Sequence, residues 1–578
     1  MPRDRRPYFV LPLAAFIAVL PLIIRGCSCG HDFDFHIVNW FEAAKQFSQG
    51  TLHPRWAYTP AWNAGEPRFV FYPPLSWTIG ALLGLIMPWT WTPIVYTWLA
   101  LTAAGLALNH AARSFTTPNA ALIAAAVYIA NPYTLYTAYE RTAYAELLAA
   151  AWFPFLLNAI LRERITIPRI AVPVAALWLT NAPAAVMGCY ALAFLALIRI
   201  ATSTRNDASP SRIQLAWNTA CGTLLGLGLA AFYILPAASE RRFVQIAFAI
   251  LPGLRPQDNF LFHHTTDADH DIVLHTASIV AVLMIGLSIA ALVFLVISSR
   301  KAASDLSAPA IVSEIPDTAR STISPAQLTL TLAALALAIA FMLTPLSALL
   351  WQYLPELRFL QFPWRLIAVL AAVFALSLAI ALSRLSLKPK PTTIAALLAA
   401  AALTIPAYGY FHQRCYPEDT LPERLAIFQS TNPGTDPTDE YTPNTADNDA
   451  LVQNNPGYWL ADQQSAPAPK DGSSGPAPQH LDLTSASPQA LILNLRDYPA
   501  WQIKLNGSIV TTRLHRDDGL IALPLPSGAS HIDITYTVLN NQRVGYLLSA
   551  LSLLCITVIF VLRHRRAPLQ AERTPLPR

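Results

Sequence analysis

The sequence is poor in charge. Of its 578 residues 13% are charged and 54% hydrophobic, with a mean hydropathy of +0.40. A soluble chain carries roughly 25% charged residues. Half that share, combined with long uncharged runs, excludes an ordinary soluble domain and indicates a protein that crosses a bilayer many times. The net charge of +5 is therefore no sign of a nucleic-acid partner, and none is expected. What matters is where the basic residues fall relative to the apolar runs. Other absences narrow the chemistry. There is no Gly-rich phosphate loop, Walker motif or nucleophile elbow. No chain of charges runs through the middle of an apolar run, as proton-coupled transport needs. The six cysteines have no zinc-ligand spacing. Cys189, Cys221 and Cys555 lie in apolar runs and read as small core residues. Among Cys27, Cys29 and Cys415 one pair could form, although an adjacent C-x-C bridge is strained.

What is present is a series of apolar segments. A membrane helix needs about 20 mostly apolar residues. Twelve segments are candidates, roughly 8–25, 92–112, 118–136, 143–161, 167–182, 183–201, 213–236, 272–298, 326–350, 363–383, 391–411 and 545–562. The run 74–87 is short for a span and suits an interfacial or re-entrant helix. The first run has a basic start, but Arg25 sits where a processed signal wants a small or apolar residue, so it reads as an uncleaved span. Arg5 and Arg6 put the N-terminus in the cytoplasm by the positive-inside rule, and Arg113, Arg162, Arg384 and Lys388 then fall on the same side. The segments 26–91, 137–142, 237–271, 351–362 and 412–544 are left outside.

The expected domains are 1–411, a transmembrane domain with a first outer loop at 26–91; 412–480, a flexible extracytoplasmic linker rich in Pro, Asn, Asp and Ser; 481–544, a small β domain; and 545–578, a last span and cytoplasmic tail. The runs ALILNLRDY, WQIKLNG, GLIALPLP and HIDITYTV alternate like strands, and Asn506-Gly507 is a hairpin-turn signal. The fold class expected is mainly α: about 12 transmembrane helices with a C-terminal extracytoplasmic β-sandwich-like domain before the last one.

Four constellations could carry chemistry. The first is GHDFDFH, Gly30–His36, directly after the first span. Ionisable groups at a membrane edge are costly and usually functional. Asp32 or Asp34 can act as a general base, or bind a divalent cation with His31 or His36 as co-ligand; an N-cap or solvated turn is the plain alternative. LHPRW, carrying Arg55, and FVFYPPLSW follow, and their aromatics also suit an interfacial belt. The second is YERTAYAE, where Glu140, Arg141 and Glu146 either pair with one another or bind an anionic head group through Arg141. In the third, Leu350–Leu366, Arg358 and Arg365 suit lipid or sugar phosphates, or simple anchoring. In the fourth, Ala231–Arg242 and the following His263, His264, His270, Asp267, Asp269 and Asp271, the spacing matches no metal-ligand template.

The order of these motifs — G-H-D-x-x-x-H, PRW, FYPPLSW, YERTAYAE with Trp-Phe-Pro behind it, QFPWR, then YPAWQIKLNG and a last helix — resembles the bacterial membrane proteins labelled "6-pyruvoyl-tetrahydropterin synthase-related". That label implies no pterin chemistry. The family looks like part of the GT-C glycosyltransferase superfamily, with YfhO-like proteins, protein mannosyltransferases and aminoarabinose transferases as broader relatives. The resemblance implies a bacterial inner-membrane enzyme that moves a sugar from a polyprenyl-phosphate carrier to a glycan, lipid or protein acceptor outside. It further implies an essential Asp in the first outer loop, which by position is Asp32, with Asp34 as the neighbour able to replace it. Arg141 and Arg365 are the implied carrier-phosphate contacts, and the displacement at the anomeric carbon is direct and inverting. Relatives with Asp-Glu or a metal leave a divalent cation open, since this chain has Asp-Phe-Asp. On this reading Tyr498 and Trp501 either stack on sugar rings or belong to the β core. A flippase for a lipid-linked glycan and a non-enzymatic envelope assembly protein are the alternatives from other classes.

Overall fold

The computed structural model describes residues 4–202, 211–304, 323–470 and 474–571; residues 471–473 of the expected linker fall outside these. Among the described residues, nine helices are long and apolar enough to cross a membrane. They are Pro7–Arg25 (α1), Trp89–Ala112, Tyr144–Leu161, Ala182–Thr202, Ala268–Ser298, Pro325–Met342, Pro363–Leu382, Pro389–Phe411 and Asn540–Leu562.

The remaining three of the twelve expected spans are not single long helices, and each has a local cause. The run 118–136 breaks after Pro118–Ala130, because Pro132 supplies no N–H and the Asn131 side chain instead caps a new helix, Pro132–Tyr139, by accepting from the Tyr133 and Thr134 amides. The run 167–182 is the 14-residue helix Ile167–Thr180, stopped at Asn181. The run 213–236 is a helix pair, Arg212–Leu229 and Ala231–Phe243, bent by 77°; counted as one span, it makes ten. The short run is the 13-residue helix Pro74–Ile86.

Tyr144–Leu161 and Pro363–Leu382 are the most enclosed of these helices, each 83% buried along its apolar stretch, against 11% for the last helix. Small residues let the bundle close: Ala120, Ala121, Ala124 and Ala125 are wholly buried, and a Cβ on Gly105 would collide with Ile129. After α1 comes helix Phe33–Ser48 (α2). Phe33, Ile37, Trp40, Phe41 and Ala44 recur at helical spacing and form its buried stripe.

The C-terminal β region has two antiparallel sheets. One is ordered β1-β3-β6, from Tyr458–Ala461 (β1), Gln489–Arg496 (β3) and Leu520–Leu525 (β6). The other is β2-β7-β4-β5, from His480–Ser485 (β2), Gly528–Tyr536 (β7), Trp501–Leu505 (β4) and Ser508–Ile509 (β5). Asn506 and Gly507, at φ +50° and +80°, form the turn between β4 and β5. β1 comes from the Pro-rich segment before residue 480, where no alternation announces it. Leu491, Leu493, Ile503, Ile521 and Ile532 fill the core, and Trp56 from the first loop is inserted among them, 5.3 Å from the Trp501 ring. Tyr498 and Trp501 are themselves buried core residues, 0% and 4% exposed, so they are not a sugar-stacking surface. A disulfide joins Cys29 to Cys415, 386 positions apart, and ties the start of the first loop to the end of helix Pro389–Phe411.

Candidate active site

The site is built by a backbone contact. Gly30 lies so close to the chain at Glu140 that an added Cβ would collide with its carbonyl oxygen. That approach lets the His31 amide donate to Glu140 O (3.2 Å) and the Asp32 amide to Arg141 O (2.8 Å). The turn on the other side is strained: Thr142, a β-branched residue, holds φ at +48°. Together these place the Asp32 and Arg141 side chains face to face.

Arg141 is almost fully buried. Its Nη1 donates to Glu146 Oε2 at 2.7 Å and its Nη2 reaches Asp32 Oδ2 at 3.4 Å. Glu146 is buried too and accepts from the Tyr133 hydroxyl at 2.5 Å. Asp32 keeps 32% of its side chain exposed, and its second oxygen faces His31 Nδ1 at 3.4 Å. Arg141 lies against the Trp364 ring (4.8 Å) and Arg365 against the Phe362 ring (4.9 Å), and those two rings are stacked. Arg365 donates one N–H to Leu360 O, while its buried Nε has no acceptor among the described residues. The group thus joins one buried ion pair, one half-open carboxylate and one guanidinium with a free donor.

The protonation states follow from the surroundings. Burial alone would raise the Asp32 carboxyl, but the His31 hydrogen bond and the Arg141 charge outweigh it and hold Asp32 below the usual carboxylate range. His31 is raised, chiefly by that same bond to Asp32. His36 is buried among Tyr72, Tyr144 and Trp40, and this lowers it from 6.5 to about 4, so it is neutral. Asp34 is raised by burial, against the pull of Arg424, which pairs with it at 2.8 Å and with Asp419 at 2.7 Å.

Of the residues singled out from sequence, Asp32, His31, Arg141, Glu146 and Arg365 gather in this group. Asp34 points to Arg424 instead. Glu140 accepts from Gln413 rather than pairing with Arg141. His36 makes ring contacts one turn into α2. Arg358 is exposed and lies against Phe359 (5.0 Å). Arg55 lies beyond the other end of α2, against Tyr546. Sequence reading missed Tyr133, Phe362, Trp364, Asp419 and Arg424. Phe362 and Trp364 stand inside a motif it noticed, whereas Arg424 lies in the polar segment taken for a linker, with no local signal. Among the described residues no group of three or more His, Cys, Asp or Glu could hold a metal. The neighbours of Asp32 are cations and potential cations, which a metal ion would repel, so a divalent cation does not fit. His264 pairs with Asp271 (3.2 Å) and His270 with Asn259 (2.6 Å).

No family model and no curated protein matches this chain. Among solved structures it is similar to two single-particle cryo-EM structures of arabinofuranosyltransferase AftD from Mycobacteria, one of them a substituted form. The TM-scores are 0.40 and 0.39, at 19% and 17% identity over 70% of this chain. The chain spans 27% and 28% of the length of those two chains.

Proposed function

We propose that the protein is a GT-C-type glycosyltransferase of the bacterial inner membrane. It moves a sugar from a polyprenyl-phosphate carrier to a glycan, lipid or protein acceptor on the extracytoplasmic side. The observation that carries this reading is a half-open carboxylate, Asp32, paired with the Arg141 guanidinium beside a second guanidinium, Arg365, that keeps an unsatisfied donor. A transfer from a lipid phosphate needs both: an acceptor-orienting base and a cationic hold on the leaving phosphate.

In the reaction the acceptor oxygen attacks the anomeric carbon from the face opposite the carrier. The C–O bond to the phosphate breaks, its electron pair stays on the phosphate, and the configuration inverts. Asp32, anionic at neutral pH, accepts a hydrogen bond from the acceptor hydroxyl and orients it. The hydroxyl proton leaves late, to Asp32 and from its half-open carboxylate to solvent. Arg365 and Arg141 stabilise the charge that grows there, and Glu146 with Tyr133 keeps Arg141 in place. Asp34 is the lesser candidate for the base because Arg424 occupies it. No metal enters the scheme.

The test is mass spectrometry of lipid-linked and surface glycans in a host with the gene deleted, restored, or restored as Asp32→Asn with expression checked. Loss of one sugar in both the deletion and the Asp32→Asn strain is expected and would name the product. Restoration by Asp32→Asn would end the catalytic assignment.

A further inference from the structure

Beyond the far end of α2 lies a second charged site. α2 has 16 residues, about 24 Å at 1.5 Å per residue, and Gln46 in its last turn lines a cavity of about 350 Å³ with Thr51, His53, Arg55, Tyr58 and Thr535. The cavity therefore sits where the first loop, the β region and the last helix meet, well away from Asp32.

Arg55 gives it its character. It is 9% exposed, donates to the Tyr546 hydroxyl at 2.9 Å and lies 5.4 Å from that ring, and no carboxylate among the described residues pairs with it. The acids of this region are occupied by neutral donors: Glu42 by the Tyr58 and Thr59 amides, and Glu240 by Tyr498, Asn541 and Gln542. A guanidinium removed from water without a counter-ion is costly, and a cavity beside it is where an anion would offset that cost. His53, its ring against Phe232 (5.7 Å) and Tyr546 (6.0 Å), forms the wall towards the last helix.

The surroundings specify an amphiphile. Tyr546 opens an exposed stripe on the last membrane helix, continued at seven-residue intervals by Leu553 and Phe560, which are 59% and 49% exposed. Leu52, next to Thr51 and His53, is 79% exposed. A polar cavity with an unpaired cation thus adjoins an exposed apolar track on a helix long enough to cross a membrane.

We propose that this cavity binds the phosphate of an anionic membrane lipid, with Arg55 as its counter-ion and the lipid chain along Tyr546, Leu553 and Phe560. The inference stands apart from the transferase reading, since it uses neither Asp32 nor Arg141. Its consequence is a β region locked to the bilayer through a lipid. Two lipids offer this chemistry, an anionic glycerophospholipid and a polyprenyl phosphate.

The test uses the full chain, delipidated in detergent and examined by native mass spectrometry with phosphatidylglycerol, phosphatidylcholine, undecaprenyl phosphate or inorganic phosphate. Wild type is expected to retain one of the two anionic lipids over phosphatidylcholine, and the one retained names the source. Arg55→Gln is expected to lose at least about fivefold of that adduct, and Arg164→Gln, exposed elsewhere, none of it. Equal retention by Arg55→Gln, or equal binding of inorganic phosphate, would each overturn the proposal. A diazirine-bearing lipid tests wild type alone: crosslinks should fall in the peptides around Thr51–Arg55 and Thr535–Tyr546, and crosslinks only elsewhere would refute it.

Discussion

The backbone amide of Asp32 donates to the carbonyl oxygen of Arg141 at 2.8 Å, so two stretches of chain 109 positions apart share one hydrogen-bonded seam. The opposed charges of these residues follow from that seam, and Gly30 makes it possible. Gly30→Ala would push a methyl group into Glu140 O, which is backbone and cannot swing away. We expect a loss of about 1–3 kcal/mol and reduced glycan output. Gly286→Ala, inside a helix where a Cβ meets nothing within 4 Å, should lower neither. Thermal unfolding in detergent checks the pair.

Asp32 and Glu146 bind the two Nη nitrogens of Arg141 but differ in what their loss should do. Glu146→Gln strips a buried guanidinium of its closest counter-ion, a change that costs about 3–5 kcal/mol. Asp32→Asn removes a longer, half-open contact and should cost less stability than Glu146→Gln while abolishing transfer. Unfolding temperatures and glycan analysis, run side by side on both variants, read this split. Equal destabilisation by the two would make Asp32 structural.

His36 sets a pH dependence of stability. Its folded pKa is lowered from 6.5 to about 4 by burial, so below pH 6.5 the unfolded chain takes up a proton that the folded chain refuses. Stability should fall between pH 6.5 and about 4, by up to about 3 kcal/mol from this group. His53, also lowered to about 4 by burial and then by Arg55, and His412, lowered by burial, act in the same sense, so His36→Gln should flatten the slope without abolishing it. Asp32 works in the other sense. Its pKa is depressed, so its contribution is present above pH 3.8 and lost only in stronger acid. Unfolding curves of both proteins from pH 7 to 4 test this.

Non-reducing peptide mapping should recover Cys29 linked to Cys415, with Cys27 free. Cys29→Ser and Cys415→Ser should each cost about 2–4 kcal/mol, and together no more than either alone, since both remove the same bond. Additive losses would mean that each cysteine matters for packing. A bridge of this kind persists in an oxidising compartment, which agrees with the extracytoplasmic side proposed for this end of the bundle.

Two further contacts show why the site was only partly legible. Asp32, Arg141 and Arg365 could be singled out because ionisable groups beside apolar runs stand out in a line of text. That Asp34 belongs to Arg424 instead could not be seen, since Arg424 lies in a segment whose Pro and Asn content predicts a linker. Arg55 follows the opening motif closely in sequence, yet α2 carries the chain away and leaves Arg55 at the other end.

What the sequence determined by itself is whatever one segment decides alone. Among the described residues apolar length made nine helices long enough to cross a membrane, period-two alternation made β3, β4, β6 and β7, and Asn506-Gly507 made the β4–β5 turn, because helix and hairpin hydrogen bonds close within a few residues. Only the tertiary structure decided the partners: Cys415 for Cys29, Glu146 and Asp32 for Arg141, Trp56 for the β core, and Tyr546 for Arg55. These contacts join residues far apart in the chain. They depend on how the helices pack and bend, as at the 77° bend near Ala230, and no local pattern of residue types records that.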